Sequence, residues 1–202
     1  GGDVHCCPVV LSYLVMTKTQ ILLFANEKAF PAEIKDALAK DGVTLLPYDN
    51  IYEYVKTFTT DMKVLLCKKK ANSRLVGSIP EGVAVLDEEN LTFLPKAIKN
   101  PVEVENERIA HIKDGVALTK FIYWLKKNVG KIPMTELSVT EKLYSLRKQQ
   151  KNFISNSFDP IISYGVHAAI NHYSATPETD ISIEPGNFVL ADTGGHYYEG
   201  TT

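Results

Sequence analysis

Two residues sit where a polar side chain needs a reason. Asp192 closes the apolar run Phe188-Val189-Leu190-Ala191, and a carboxylate there is costly to bury unless it is paired or coordinated. Gly194 and Gly195 follow it and let the backbone turn tightly or come close to another group. A carboxylate at such a strand end is a candidate ligand for a hard or borderline cation. The alternative is an aspartate that caps a turn. His172 lies in Ala168-Ala169-Ile170-Asn171-His172-Tyr173. It could donate to a substrate carbonyl or a developing oxyanion, or it could be a half-buried histidine whose partners are all in the protein. His167 and His196 are weaker candidates, and His111 falls inside a helical stretch as a structural residue.

The three cysteines are Cys6, Cys7 and Cys67. An odd number does not suggest a disulfide framework, and free thiols fit a reducing compartment. His5-Cys6-Cys7 raises the question of a metal site, but adjacent cysteines project apart on an extended chain and C-x₂-C spacing is absent. Packing or incidental roles are the reading for these three. There is no H-E-x-x-H, G-x-S-x-G, P-loop or G-x-G-x-x-G, so the chemistry those motifs carry is not indicated.

The elements that must position these residues follow from periodicity. Val9–Val15 and Gln20–Phe24 read as a hairpin. Pro31–Lys40 reads as a helix with Pro31 in its first turn and Gly42 as its stop. Val43–Leu46 is a strand, and Asn50 caps a helix carrying Ile51, Tyr54, Val55 and Phe58. Val64–Cys67 is a strand, Asn72–Ile79 a short helix, and Val83–Leu86 and Leu91–Leu94 short apolar pieces.

At Lys99-Asn100-Pro101 the texture changes, and a long helix is predicted from Pro101 to about Asn128. Its apolar residues form two stripes, Ile109/Ile112/Val116 and Leu118/Ile122/Leu125/Val129, which predicts burial on two sides. Ser138 starts a second helix, with Glu141 completing a capping box. Strands follow around Phe158–Ser163 and Asn187–Asp192, with a return strand from His196 and antiparallel hairpins between them. Strand–helix alternation over 1–97 gives an α/β domain, and 98–202 reads as α+β.

The length, 202 residues, is long for one small domain and short for two large ones. Lysine plus arginine is 22 and aspartate plus glutamate 24, a net charge of −2, which argues against binding nucleic acid through its phosphates. No apolar run approaches the ~18 residues of a membrane span. No signal peptide can be read, and both ends predict a piece of a longer protein.

Several stretches together resemble the three-domain Xaa-Pro aminopeptidases of the creatinase/prolidase "pita-bread" superfamily. They are Ser157–Ser163, Ala169-Ile170-Asn171-His172-Tyr173, Pro177-Glu178-Thr179 and Leu190–Thr202, with the helix openings Asn100-Pro101-Val102-Glu103 and Ala110-His111-Ile112-Lys113-Asp114. Gly2-Asp3, Pro8-Val9 and Ser12-Tyr13 resemble the family's R-G-x-D…P-V-x-x-S-Y segment. Val166-His167 and Thr193 depart from the family pattern without touching a role.

The resemblance implies a creatinase-like, non-catalytic middle domain over 1–97. It also implies the N-terminal half of a pita-bread catalytic domain over 98–202. Asp192 falls where the family has its first metal-binding aspartate, and His172 where it has a histidine on the substrate side of the metals. The remaining metal ligands would lie beyond Thr202. The intact enzyme would hold two divalent metals, manganese being the expected pair. An activated hydroxide would release the N-terminal residue from peptides with proline in second position. This segment alone would bind no metal pair stably and would be inactive. A cytoplasmic homodimer without membrane or nucleic-acid partners is the implied setting. The alternatives are a non-catalytic peptidase-like binding module, as in a histone chaperone subunit, and a prolidase- or creatinase-type hydrolase.

Overall fold

The computed structural model describes residues 4–202. They form two units, residues 4 and 8–98 in the first, and His5–Cys7 with Lys99–Thr202 in the second.

In the first unit, β1 (Ser12–Met16) and β2 (Ile21–Ala25) pair antiparallel as the predicted hairpin. After α1 (Ala32–Lys40), β3 (Val43–Pro47) joins β2 in parallel, giving a three-stranded mixed sheet. Gly42 takes φ 75° between them, a left-handed stop that glycine adopts at little cost. Pro31 is the cap of α1 rather than a helical residue. In α2 (Asn50–Val55) the cap is Asp49 and Asn50 is already helical, so the expected Asn50 cap is one residue late. Phe58 lies past the end of α2. Then come β4 (Lys63–Leu66), α3 (Ser73–Ser78) and β5 (Ala84–Asp87), with β4 and β5 parallel. The apolar piece around Leu91–Leu94 becomes a short helix, α4 (Phe93–Ala97). Leu22, Phe24, Ile51, Tyr52 and Val55 form the core of this unit.

The second unit opens with α5 (Pro101–Asn128). The Asn100 side chain accepts from the Glu103 N–H, and the Glu103 carboxylate accepts from the Asn100 N–H. That reciprocal box satisfies two donors no helical carbonyl can reach. Burial on two sides does not hold. Ile112 is 67% exposed, Val116 41% and Ile122 45%, while the buried line is Ala110, Asp114, Ala117 and Phe121. Small residues let α6 (Glu136–Arg147) approach along that line. Leu118, Leu125 and Val129 still pack at the margin of the core.

The cap of α6 falls three residues earlier than expected. Thr135 is its cap, and Ser138, the expected cap, is instead the third helical residue, completing the box with Thr135. Thr135 has extended backbone, φ −126°, and its hydroxyl takes the role assigned to Ser138 in the sequence. Next come β6 (Phe153–Asn156), β7 (Ile161–Tyr164), a short 3-10 turn over Gly165–Ala169, β8 (Val189–Asp192) and β9 (Gly195–Tyr197). All pairing is antiparallel, but β8 pairs with β7 and β9 with β6. The return strand from His196 therefore makes no hairpin with β8, because the turn at Thr193–Gly194 carries the chain across to another partner.

Candidate functional site

Asp192 ends β8, opposite Ile161 of β7. Its position depends on the turn that follows, and that turn is fixed from several directions. The Ser157 N–H donates to the Gly194 carbonyl at 3.1 Å, and the Ser157 hydroxyl to the Thr202 carbonyl at 2.8 Å. The Gly195 N–H donates to Thr202 Oγ1 at 2.9 Å. A side chain on Gly194 would run into Ser157 and the Thr202 carbonyl. Here the close approach anticipated at the glycines is met.

α5 and α6 hold the same turn from the core. Arg147 Nε donates to Asp114 Oδ1 at 2.7 Å and Nη2 to Oδ2 at 3.1 Å, a two-pronged pair with the arginine fully buried. Arg147 Nη2 also donates to Thr193 Oγ1, next to Asp192, at 3.0 Å. The Tyr197 hydroxyl donates to Asp114 Oδ1 at 2.9 Å. Burial pushes the Asp114 carboxyl up, but Arg147, Tyr197 and Thr202 overcome it and hold it below the usual carboxylate range. One turn face along, Lys113 Nζ donates to Glu199 at 2.5 Å, joined by Asn152 at 2.7 Å. Lys113 first, then Asn152, holds the Glu199 carboxyl low. The Ala110–Asp114 motif thus grips the loop that begins at Asp192.

The Asp192 carboxylate itself is exposed and makes no hydrogen bond or ion pair among the described residues. An oxygen donor at a fixed strand end, claimed by no other side chain, fits a ligand to a divalent cation. It is a single carboxylate, and no group of three potential ligands among the described residues includes it.

His172 is exposed with φ 57°, backbone that histidine tolerates better than most residues but rarely adopts. Its ring has no hydrogen-bond partner among the described residues. The segment that carries it leaves the end of β7 opposite to the one paired with Asp192, and no hydrogen bond joins the two side chains. The anchor of this segment is Glu136, fully buried at the first turn of α6. Its carboxylate accepts from the Tyr164 N–H at 2.7 Å, His167 Nδ1 at 3.1 Å and the Tyr173 hydroxyl at 3.0 Å. His167 is therefore part of the support. His196 is buried, and its Nε2 donates to the Cys6 carbonyl. His111 is exposed, its Nδ1 donating to the Glu107 carbonyl at 2.9 Å.

Lys113, Asp114, Glu136 and Arg147 were not singled out as site residues from sequence. One signal was available for Asp114, a charge between Ala110 and Ala117 on a single helical line.

A mixed α/β unit is followed by an α+β unit whose β8 ends in Asp192. Residues 1–103 match the creatinase/prolidase N-terminal domain, and residues 105–202 match metallopeptidase family M24. The chain belongs to the creatinase/prolidase family. It is 34% identical over 206 residues to Xaa-Pro aminopeptidase 1 of Dictyostelium discoideum, covering 100% of this chain and 32% of that protein. It is 33% identical over 213 residues to a probable Xaa-Pro aminopeptidase P of Leptosphaeria maculans, covering 100% of this chain and 35% of that one. The chain thus spans about a third of the length of the curated relatives it matches. Among solved structures, the X-prolyl aminopeptidase of Caenorhabditis elegans, described as a cytosolic enzyme with a di-nuclear active site, matches with a TM-score of 0.92 and 27% identity. The match covers 99% of this chain and 34% of that one. The Xaa-Pro dipeptidase of Bacillus anthracis shares the fold, with a TM-score of 0.69, 17% identity, and coverage of 94% and 51%. No helix among the described residues is long and apolar enough to cross a membrane.

Proposed function

We propose that this chain is part of a metal-dependent aminopeptidase that releases the N-terminal residue from peptides with proline in second position. Residues 1–97 form its creatinase-like non-catalytic domain, and 98–202 the first half of its catalytic domain. The observation that carries this reading is the Asp192 carboxylate, exposed and unclaimed among the described residues at the head of a turn held by Ser157, Thr202 and Arg147.

In this reading Asp192 would hold one of two divalent metal ions, manganese being the pair proposed. When bound, such a pair supplies Lewis acidity and a water of lowered pKa. His172 donates a hydrogen bond to the substrate carbonyl oxygen, which strengthens as negative charge develops there. Glu136, through His167 and Tyr173, holds the segment from which His172 projects. Asp114 and Arg147 keep the Asp192 turn from relaxing, so the carboxylate is ordered before any ligand arrives. The further ligands come from polypeptide outside these residues, and a cytoplasmic homodimer is the proposed assembly.

The test is metal analysis and an Xaa-Pro peptide assay on a longer polypeptide that carries this chain. Two divalent ions per chain and release of the first residue are expected. Asp192→Asn should lose metal and activity together, and His172→Ala should lose about 10²-fold or more in kcat with metal retained. The 202-residue chain alone should be inactive, because one carboxylate cannot hold two cations. Undiminished activity in Asp192→Asn, or robust metal-dependent cleavage by the 202-residue chain, would overturn the reading.

A further inference from the structure

His5-Cys6-Cys7 looks incidental in sequence because adjacent cysteines diverge. The fold adds a donor that sequence spacing could not show, 153 positions beyond Cys6. The ligand atoms of His5, Cys6 and Asp159 all lie within 4.8 Å of one another. His5 Nε2 is 2.9 Å from Asp159 Oδ1. All three residues belong to the second unit, and the Cys6 thiol is free and half-buried.

The backbone at this point is held. Cys6 has φ 51°, a left-handed conformation that a non-glycine residue adopts only where its surroundings demand it. Its carbonyl accepts from His196 Nε2 at 2.8 Å. His196 is 9% exposed, and its Nδ1 accepts from the Thr201 hydroxyl at 2.8 Å. The second unit thus fixes the peptide that aims Cys6, as outer hydrogen bonds fix ligands at metal sites. A surface ion pair between His5 and Asp159 would account for those two side chains alone. Such a pair does not involve the Cys6 thiol, whose sulfur lies within 4.8 Å of both partners.

We propose that His5, Cys6 and Asp159 bind a borderline divalent cation of the zinc type, with a fourth position open to water or a small anion. Imidazole nitrogen, thiolate sulfur and carboxylate oxygen together suit zinc and cobalt far better than manganese or magnesium. Bonds of about 2.0–2.3 Å in a tetrahedron put ligand atoms about 3.3–3.8 Å apart. His5 and Asp159, both exposed, can reach that spacing by side-chain rotation, their 2.9 Å separation opening slightly. The inference is independent of the aminopeptidase reading, since it uses neither Asp192 nor His172.

The experiment is titration of the reduced, chelator-treated 202-residue chain with Co²⁺, then competition with Zn²⁺ and Mn²⁺. One Co²⁺ per chain is expected, with thiolate-to-cobalt charge-transfer absorption, displaced by Zn²⁺ and not by equimolar Mn²⁺. Cys6→Ser should lose that absorption, while His5→Ala and Asp159→Asn should each weaken Zn²⁺ binding at least about tenfold. Cys7→Ser and Cys67→Ser should leave it unchanged. Absence of the absorption, its survival in Cys6→Ser, or its loss in Cys7→Ser would overturn the proposal. If Cys6→Ser unfolds, as read by circular dichroism, His5→Ala alters only an exposed side chain and decides the matter.

Discussion

A carboxylate removed from water is tolerated only when protein donors replace the water, and Glu136 meets that condition with three of them. The Tyr164 N–H, His167 Nδ1–H and Tyr173 hydroxyl all end on its two oxygens. Two of the three lie in the segment around His172, so one buried side chain of α6 sets where that segment runs. Glu136→Ala would leave these donors facing a cavity, and we expect a loss of about 3 kcal/mol or more in urea unfolding. Glu136→Gln keeps the shape and the bond from Tyr164. It sets an amide against only one of the remaining donors and should cost clearly less. A change in Glu136→Ala below about 1 kcal/mol would mean the donors find other partners.

Between elements, the Asp114–Arg147 pair joins α5 to α6 and reaches Thr193. Both partners are buried, so removing one strands the other, and Arg147→Ala should cost about 3–5 kcal/mol. The pair also sets a pH dependence. The Asp114 carboxyl is held below its ordinary value in the fold, so near pH 4 the unfolded chain binds more protons there. The contribution is complete above the unfolded pKa of about 3.9 and lost as pH falls through the lower folded value. Glu199, held low by Lys113 and Asn152, acts with the same sign. Stability measured by urea unfolding from about pH 6 down to pH 3 should therefore fall, and Asp114→Asn should flatten that slope while lowering the plateau. An unchanged slope in Asp114→Asn would remove this residue as the cause. None of this pairing was legible in the sequence, for a physical reason. Asn100, Pro101 and Glu103 lie within one helical turn, so the start of α5 could be read locally. Arg147 is 33 positions from Asp114 and 46 from Thr193. Apolar periodicity favoured Ile112 and Val116, both exposed, over the alanine–aspartate line that α6 covers. Asp192 and its glycines could be read because run, carboxylate and turn are contiguous. Glu136 could not, since its partners lie 28 to 37 positions away.

At the scale of the molecule, the second unit has a well-formed helical core and weakly supported sheets. Phe121, Val139, Leu143 and Ile162 are nearly or fully buried. Yet β6–β9 and β7–β8 are each only two strands wide, and isolated pairs are marginal in water. Large apolar residues stand out around them, with Phe188 85% exposed, Val166 77%, Ile170 54% and Leu190 41%. On α5, Val102 and Ile112 are 68% and 67% exposed. That much apolar surface is uncommon on a self-sufficient domain. Residues 98–202 expressed alone would also lack the Cys6 carbonyl, stranding the buried Nε2–H of His196. We expect such a segment to keep helical circular dichroism from α5 and α6, because their contact is local and apolar. Its strand pairs should not be fixed, so it should bind an apolar dye and melt without a cooperative transition. The full 202-residue chain, measured beside it, should bind less dye per residue. A sharp, reversible thermal transition of 98–202 would show that the two-strand sheets and the α5–α6 core suffice on their own, and that the exposed apolar residues carry no structural debt.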